Sequence, residues 1–346
     1  MAVCNQRHLA QRGLMTALLA LSLAAGCGGE PAASTSATVA TTPKLQPVEL
    51  ALNWYPEAEH GGFYAALIHG EFEKEGLQVT IRPGGPQAPV LQAIATERVP
   101  FGVINADALL LGRAQEADVV AVMVPIHDSP RCILVHEESG IQTLDDLAKK
   151  PGLTLAMNSA QPFALFLRHK LDLSQAQIVS YPGNVVQFLL DKNFAQQAYS
   201  FSEPFVAQQQ GAKTRSLMVS DAGFNTYTSA LAVSRKTLET QPELVKKFVR
   251  ASTRGWQRYL QDAQATNAHI HQQNPEMKLD VLEFGVAALQ PLCRPTGTAE
   301  SEFGRMDPER WASLVQQMET CGALKPGVVD PAKAFSNDFL PAPAQP

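Results

Sequence analysis

The sequence predicts an α/β protein of two lobes joined by a hinge, with a helical C-terminal extension. Three observations carry that expectation. Strand and helix patterns alternate from Val48 to Val124 and again from Arg131 to about Ser220, and after a predicted strand at 229–234 only helical patterns remain. Strands that alternate with helices form parallel sheets covered by crossover helices. A first lobe interrupted by a second leaves two connections between them, which is the wiring of a hinge, and ligands favour such interfaces.

In chain order, Val48 to Trp54 alternates apolar and polar residues and reads as a strand. His60-Gly61-Gly62 opens a helix carrying Phe63, Leu67 and Ile68. Leu77 to Ile81 alternates again, Gly84-Gly85-Pro86 is a loop, and Val90, Leu91, Ile94 and Ala95 line a helix. Phe101 to Ile104 is a short buried strand, Ala106 to Gln115 a helix, and Val119 to Val124 an apolar strand. The second set has strands at 131–136, 153–157 and 178–181, a strand end at Ala198-Tyr199, and another at 217–219, with helices at 144–149, 163–171, 185–190 and 203–210 between them. Pro242 starts a long helix with Leu244, Val245, Phe248, Val249, Trp256 and Leu260 on one face, and 279–292 and 308–321 give two more. The expected domains are 48–130 for the first part of lobe one, 131–220 for lobe two, and 221–346 for the rest of lobe one with the C-terminal helices.

The chain begins with Arg7, His8 and Arg12, then an apolar run from Leu14 to Ala25, then Gly26-Cys27. A basic start, a short apolar core and small residues at a cut site make a secretory signal. The run is shorter than the roughly 20 residues that span a bilayer. Leu23-Ala24-Ala25-Gly26-Cys27 resembles a bacterial lipobox, so residues 1–27 read as a lipoprotein signal with Cys27 acylated. The aliphatic residue stands one place earlier than usual. Gly28 to Pro47, rich in Ala, Ser, Thr and Pro, cannot bury a core and reads as a flexible tether. Exported location and a lipid anchor at the membrane, facing the periplasm or exterior, follow from these features. No later stretch is long and apolar enough to cross a membrane. The net charge of −5 gives no electrostatic footprint for nucleic acid.

Cys4 leaves with the signal, and Cys132 reads as a core residue of its strand. Cys293 and Cys321 flank a helical segment in an oxidising compartment, where a disulfide and two buried thiols are both open.

Leu52-Asn53-Trp54-Tyr55-Pro56 followed by Glu59-His60-Gly61-Gly62-Phe63-Tyr64 resembles the opening of the thiamine-pyrimidine family of substrate-binding proteins of ABC importers. Glu71 to Val79, Phe101-Gly102-Val103 and Ser202-Glu203-Pro204-Phe205 match that family too, and the resemblance runs from about Val48 to Trp256. It implies a type II periplasmic-binding fold, a small heterocyclic ligand related to thiamine's aminopyrimidine precursors, an ABC permease as partner, and no cofactor. The strand-helix framework is shared with sulfonate, nitrate and riboflavin binders.

The carboxyl edge of an open α/β sheet faces the ligand crevice. Trp54 and Tyr55 stand at that edge of the first strand, where a ring stacks on a planar heterocycle. His60 begins a helix whose free N–H groups suit an anion or a carbonyl. Asn105 follows the third strand and either caps the next helix or offers its amide to a ligand. Glu203 lies in the first turn of a helix, where a carboxylate is favoured anyway. The resemblance places this acid on the cleft, where it accepts hydrogen bonds from an aminopyrimidine edge. Ser129 and Arg131 lie at the first crossing between lobes, Asn158, Tyr181 and Asn184 follow second-lobe strands, and Tyr227 lies near the return crossing.

An enzyme is the main rival class. The family's synthases carry a cysteine cluster and a cofactor-binding lysine, and neither stands in the matching segments here. The chain has no Gly-x-Ser-x-Gly elbow and no His-Glu-x-x-His metal motif. His269 and His271 are two apart on a helix and face different ways. A receptor of the same fold for a sulfonate, nitrate or flavin, and a lipoprotein that only scaffolds partners, are the other readings.

Overall fold

The computed structural model describes residues 44–86, 88–294, 299 and 302–341. The segment read from the sequence as a signal, Cys27 and most of the expected tether lie outside the described residues. Among the described residues ten strands form two five-stranded sheets. They are β1 (Gln46–Ala51), β2 (Leu77–Arg82), β3 (Phe101–Ile104), β4 (Val119–Met123), β5 (Arg131–His136), β6 (Thr154–Ala156), β7 (Gln177–Val179), β8 (Phe194–Tyr199), β9 (Thr214–Met218) and β10 (Ala230–Ser234). The first sheet runs β2-β1-β3-β10-β4 and the second β7-β6-β8-β5-β9. The two orders are equivalent, so each lobe repeats one plan. This is an α/β architecture of two lobes.

The sheets are mixed where the sequence suggested parallel ones. β10 is antiparallel to β3 and β4, and β5 is antiparallel to β8 and β9. These two strands carry the chain across from the other lobe and arrive without a crossover helix, so nothing forces them parallel. β1 begins at Gln46, inside the expected tether, because Gln46 and Pro47 pair with Leu77 and Gln78. β4, read from Val-Val-Ala-Val-Met, is buried at every residue, as befits a strand covered on both faces.

The helix Pro242–Gln261 starts with proline at its first position and buries Leu244, Val245, Phe248, Val249, Trp256, Tyr259 and Leu260. It packs on the helix Gly61–Ile68, where glycines permit close approach. A Cβ on Gly62 would stand 2.0 Å from the Trp256 ring, and one on Gly61 2.0 Å from Tyr259. Both glycines serve this helix–helix seam.

The C-terminal helix Pro308–Thr320 buries Trp311, Leu314, Val315 and Met318 in a core shared by both lobes, with Leu109 from one and Leu167 from the other. Arg310 on this helix donates to the carbonyls of His127 and Asn225, one on each interlobe crossing. Asn225 in turn accepts from the Ser129 N–H and donates to Asp128. The two crossings are therefore tied to each other and to the C-terminal extension. The segment beyond this helix pairs with the free edge of β4 through Ala121 and Phe335, which covers an exposed strand edge.

Candidate functional site

Just past the carboxyl end of β3, the first lobe meets β5 and β8 of the second at the Tyr199 hydroxyl. Asn105, just past β3, donates to the Tyr199 hydroxyl at 3.0 Å, and Arg131 donates to the same oxygen at 3.2 Å. The Arg131 guanidinium also lies over the rings of Tyr199 and Phe163, at 4.2 and 4.8 Å. The Asn105 side-chain Oδ1 accepts from the Ser229 N–H. Ser229 has a φ of 55°, a left-handed conformation unusual outside glycine, and strain of this kind concentrates at functional sites.

Four carboxyl groups surround this junction. Glu203 is held by Tyr181, whose hydroxyl donates to it at 2.6 Å, and by the Tyr199 N–H at 2.9 Å. Glu59, 1% exposed, accepts from the Ser229 hydroxyl at 3.1 Å. Its pKa is raised to about 7, first by burial and further by Glu203, against the Ser229 hydrogen bond and the Arg131 charge. Glu57, 6% exposed, is raised well above the usual carboxylate range by burial, with Glu59 and Glu203 adding to it. Asp107 is raised by burial against the pull of its hydrogen bond from Ala108 and of Arg131. The cluster joins groups from both lobes: Glu203 acts on Glu57 and Glu59, and Arg131 on Glu59 and Asp107. One cation among four acids leaves the junction short of positive charge.

Of the residues singled out from the sequence, Asn105, Arg131, Tyr181 and Glu203 gather here. Trp54 is half-buried in the loop after β1, edge-on to Tyr55 with ring centres 5.5 Å apart. Tyr55 is 49% exposed. Ser129 is buried in the first crossing, where its hydroxyl accepts from Arg131 N.

Others depart from expectation. His60 is fully buried and bonds Asn53 at 3.0 Å, so it anchors the loop after β1. Burial lowers its pKa to about 3, against a hydrogen bond to the Tyr55 backbone, and keeps it neutral. Tyr227 is buried against Trp311, with its ring under Arg310 and its hydroxyl accepting from Asp307 N, so it secures the C-terminal helix. Asn184 is exposed and caps its own turn at Val186, and Asn158 does the same at Ala160. Cys293 and Cys321 are unbonded thiols. Cys293 sits in the apolar core and Cys321 caps its helix, which corrects the disulfide alternative.

Sequence reasoning missed Glu57, Glu59, Asp107, Tyr199 and Ser229 as site groups. The available signal was two acids placed directly after a strand's carboxyl end. An open hollow of about 410 Å³ lined by Val206, Gln209, Glu276 and Lys278 lies elsewhere and contains none of these groups.

Comparison with known proteins agrees with this architecture. The family model described as NMT1/THI5 like matches residues 57–266. The riboflavin-binding protein RibY of Chloroflexus aurantiacus is 28% identical over 341 residues, covering 95% of this chain and 96% of the relative. The formylaminopyrimidine-binding protein of Halalkalibacterium halodurans is 23% identical over 326 residues, covering 91% and 96%. Among solved structures, the periplasmic aliphatic sulphonate binding protein SsuA from Escherichia coli aligns with a TM-score of 0.64 at 19% identity, covering 88% of this chain and 94% of that one. The chain belongs to the NMT1/THI5-like family.

Proposed function

We propose that this chain is the extracytoplasmic solute receptor of an ABC importer, and that it binds a thiamine-related aminopyrimidine precursor without changing it. The observation that carries the reading is the acid-rich junction between lobes, in which Glu203 is presented by Tyr181 and the Tyr199 N–H. A carboxylate so fixed accepts hydrogen bonds from an amino edge, and a charge-assisted pair gives orientation and specificity. Trp54 and Tyr55 supply the rings for a planar ligand. The relative named for formylaminopyrimidine supports the ligand class. The relative named for riboflavin is the more similar of the two, which favours a flavin as the second reading.

In this proposal residues 48–130 and 221–346 form one lobe with its C-terminal helices, 131–220 form the other, and ligand closes them. The signal is cut off before Cys27, which becomes the acylated first residue, and the following segment tethers the receptor to the membrane beside its permease. Thermal-shift screening against formylaminopyrimidine, riboflavin and taurine, followed by mass analysis of the recovered ligand, tests the reading. Stabilisation by a heterocycle recovered unchanged supports it. Stabilisation by taurine alone, or a chemically altered ligand, overturns it.

A further inference from the structure

We propose that Phe284 and Gly285, on the helix Leu279–Cys293, are positioning residues for Glu203: they dock the acid-bearing turn of lobe two onto lobe one and so latch the cleft shut. This deepens the receptor reading above and rests on it for the role of Glu203.

The helix belongs to lobe one. Its Leu282, Val286 and Leu289 are buried in the core that also holds Phe63 and Trp256. Near its end, the Leu292 carbonyl accepts the N–H groups of His127 and Asp128, both on the first crossing between lobes. The helix Glu203–Gln209 belongs to lobe two, where Ala207 is buried in the core with Cys132 and Leu134 of β5. Glu203, held by Tyr181 and Tyr199, is its first residue.

These two helices meet across the lobes. The rings of Phe205 and Phe284 stack with centres 4.6 Å apart and planes 11° from parallel. Both are half-buried, and neither belongs to the apolar core of its own lobe. Covering each other is the use the fold makes of them. One turn earlier, Asp280 accepts from the Gln209 side chain, and residues four apart share a helix face. Gly285 completes the seam. A Cβ there would stand 3.2 Å from the Phe201 carbonyl oxygen, on the turn that leads into Glu203, and 2.8 Å from the Ala58 Cβ, between Glu57 and Glu59. The missing side chain lets the acid-bearing loops of both lobes approach one point on one helix. A rotation of lobe two about the crossings parts the two rings and carries Glu203 away from lobe one.

Small-angle X-ray scattering of the purified, ligand-free protein reads the latch directly. Phe284→Ala should have a larger radius of gyration than wild type, and Phe284→Tyr, which keeps the stacked ring, should match wild type. Titration calorimetry with formylaminopyrimidine and riboflavin reads the consequence. For whichever heterocycle wild type binds, Phe284→Ala and Phe205→Ala should each weaken binding by about tenfold, because affinity falls with the fraction of closed protein. The double variant should weaken it by less than about threefold more, since one stack is lost either way. Should Phe284→Ala fail to fold, Phe205→Ala on the other lobe carries the same comparison. An unchanged radius, an unchanged affinity, or a Phe284→Tyr variant that behaves like alanine overturns this inference while leaving the receptor reading intact. Wild type that binds neither heterocycle overturns the ligand reading, and the scattering comparison still decides the latch.

Discussion

The Asn105 side chain of the first lobe and the Tyr199 hydroxyl of the second meet at 3.0 Å, a hydrogen bond that joins the lobes. Arg131 donates to the same oxygen, so one hydroxyl gathers a group from each side of the hinge. Tyr199→Phe removes both bonds and keeps the ring under Arg131. The expected change is a loss of about three- to tenfold in ligand affinity with about 1 kcal/mol of stability, since net hydrogen bonds contribute on that scale. Titration calorimetry beside chemical denaturation checks it. Unchanged affinity would mean that this contact plays no part in closure.

Glu59 gives a pH signature. Its pKa rises from 4.5 to about 7 on folding, mainly through burial. Between those values the folded state binds more protons than the unfolded one, so the stability linked to this group is full below about pH 4.5 and is lost as pH rises to 7. Relative to Glu59→Gln, the wild type should lose about 3 kcal/mol between pH 4.5 and about pH 8. His60 and His127, whose pKa values are lowered by burial to about 3 and about 4, act in the opposite direction, and both variants share them. Denaturation series across this range measure the difference. A flat difference would show that Glu59 is already charged and paired.

The helix seam offers a packing test. Gly62→Ala places a methyl 2.0 Å from the Trp256 ring, where a fully buried indole has no room to move. Overpacking of this kind destabilises by about 2 kcal/mol, or roughly 5 °C in a protein of this size. Gly76→Ala meets no atom within 4 Å, but Gly76 has a φ of 77°, so its loss comes from backbone strain alone. A smaller loss at Gly62 than at Gly76 would contradict the seam.

Cys293 and Cys321 are separate thiols. Reductant should leave the melting temperature unchanged, and Cys132, Cys293 and Cys321 should all react with alkylating reagent after denaturation. A disulfide there would contribute about 3–4 kcal/mol in the chain-entropy model, so a fall in melting temperature with reductant would be plain to see.

Most of the frame was legible where periodicity and burial coincide. Val119–Met123 is apolar throughout and forms a strand buried on both faces, and Pro242–Gln261 shows its buried stripe in the spacing of Leu244, Phe248 and Trp256. β8 was legible only at Ala198-Tyr199, because Gln196 and Gln197 stand at buried positions where alternation expects apolar residues. Gln197 is there to accept the Asn158 N–H. The site was half legible for the same reason. Arg131, Asn105 and Glu203 stood at strand ends or helix starts, but a local pattern reads Glu57 and Glu59 as surface acids. Their burial comes from distant segments: Ser229 bonds Glu59, and Gly285 of the helix Leu279–Cys293 lies against Ala58 between the two acids. His60 and Tyr227 failed in the opposite sense, because the partners that bury them, Asn53 and Trp311, cannot be read from neighbouring positions.

The most direct test of the receptor reading is a calorimetric titration of the purified protein with formylaminopyrimidine, riboflavin and taurine in parallel. The expected result is a dissociation constant of about 1 μM or tighter for one of the flat heterocycles, no heat with taurine, and marked weakening of the heterocycle in Trp54→Ala. Tight taurine binding, or a heterocycle bound equally well without the Trp54 ring, would contradict an aromatic, acid-lined cleft built for a nitrogen-bearing ring.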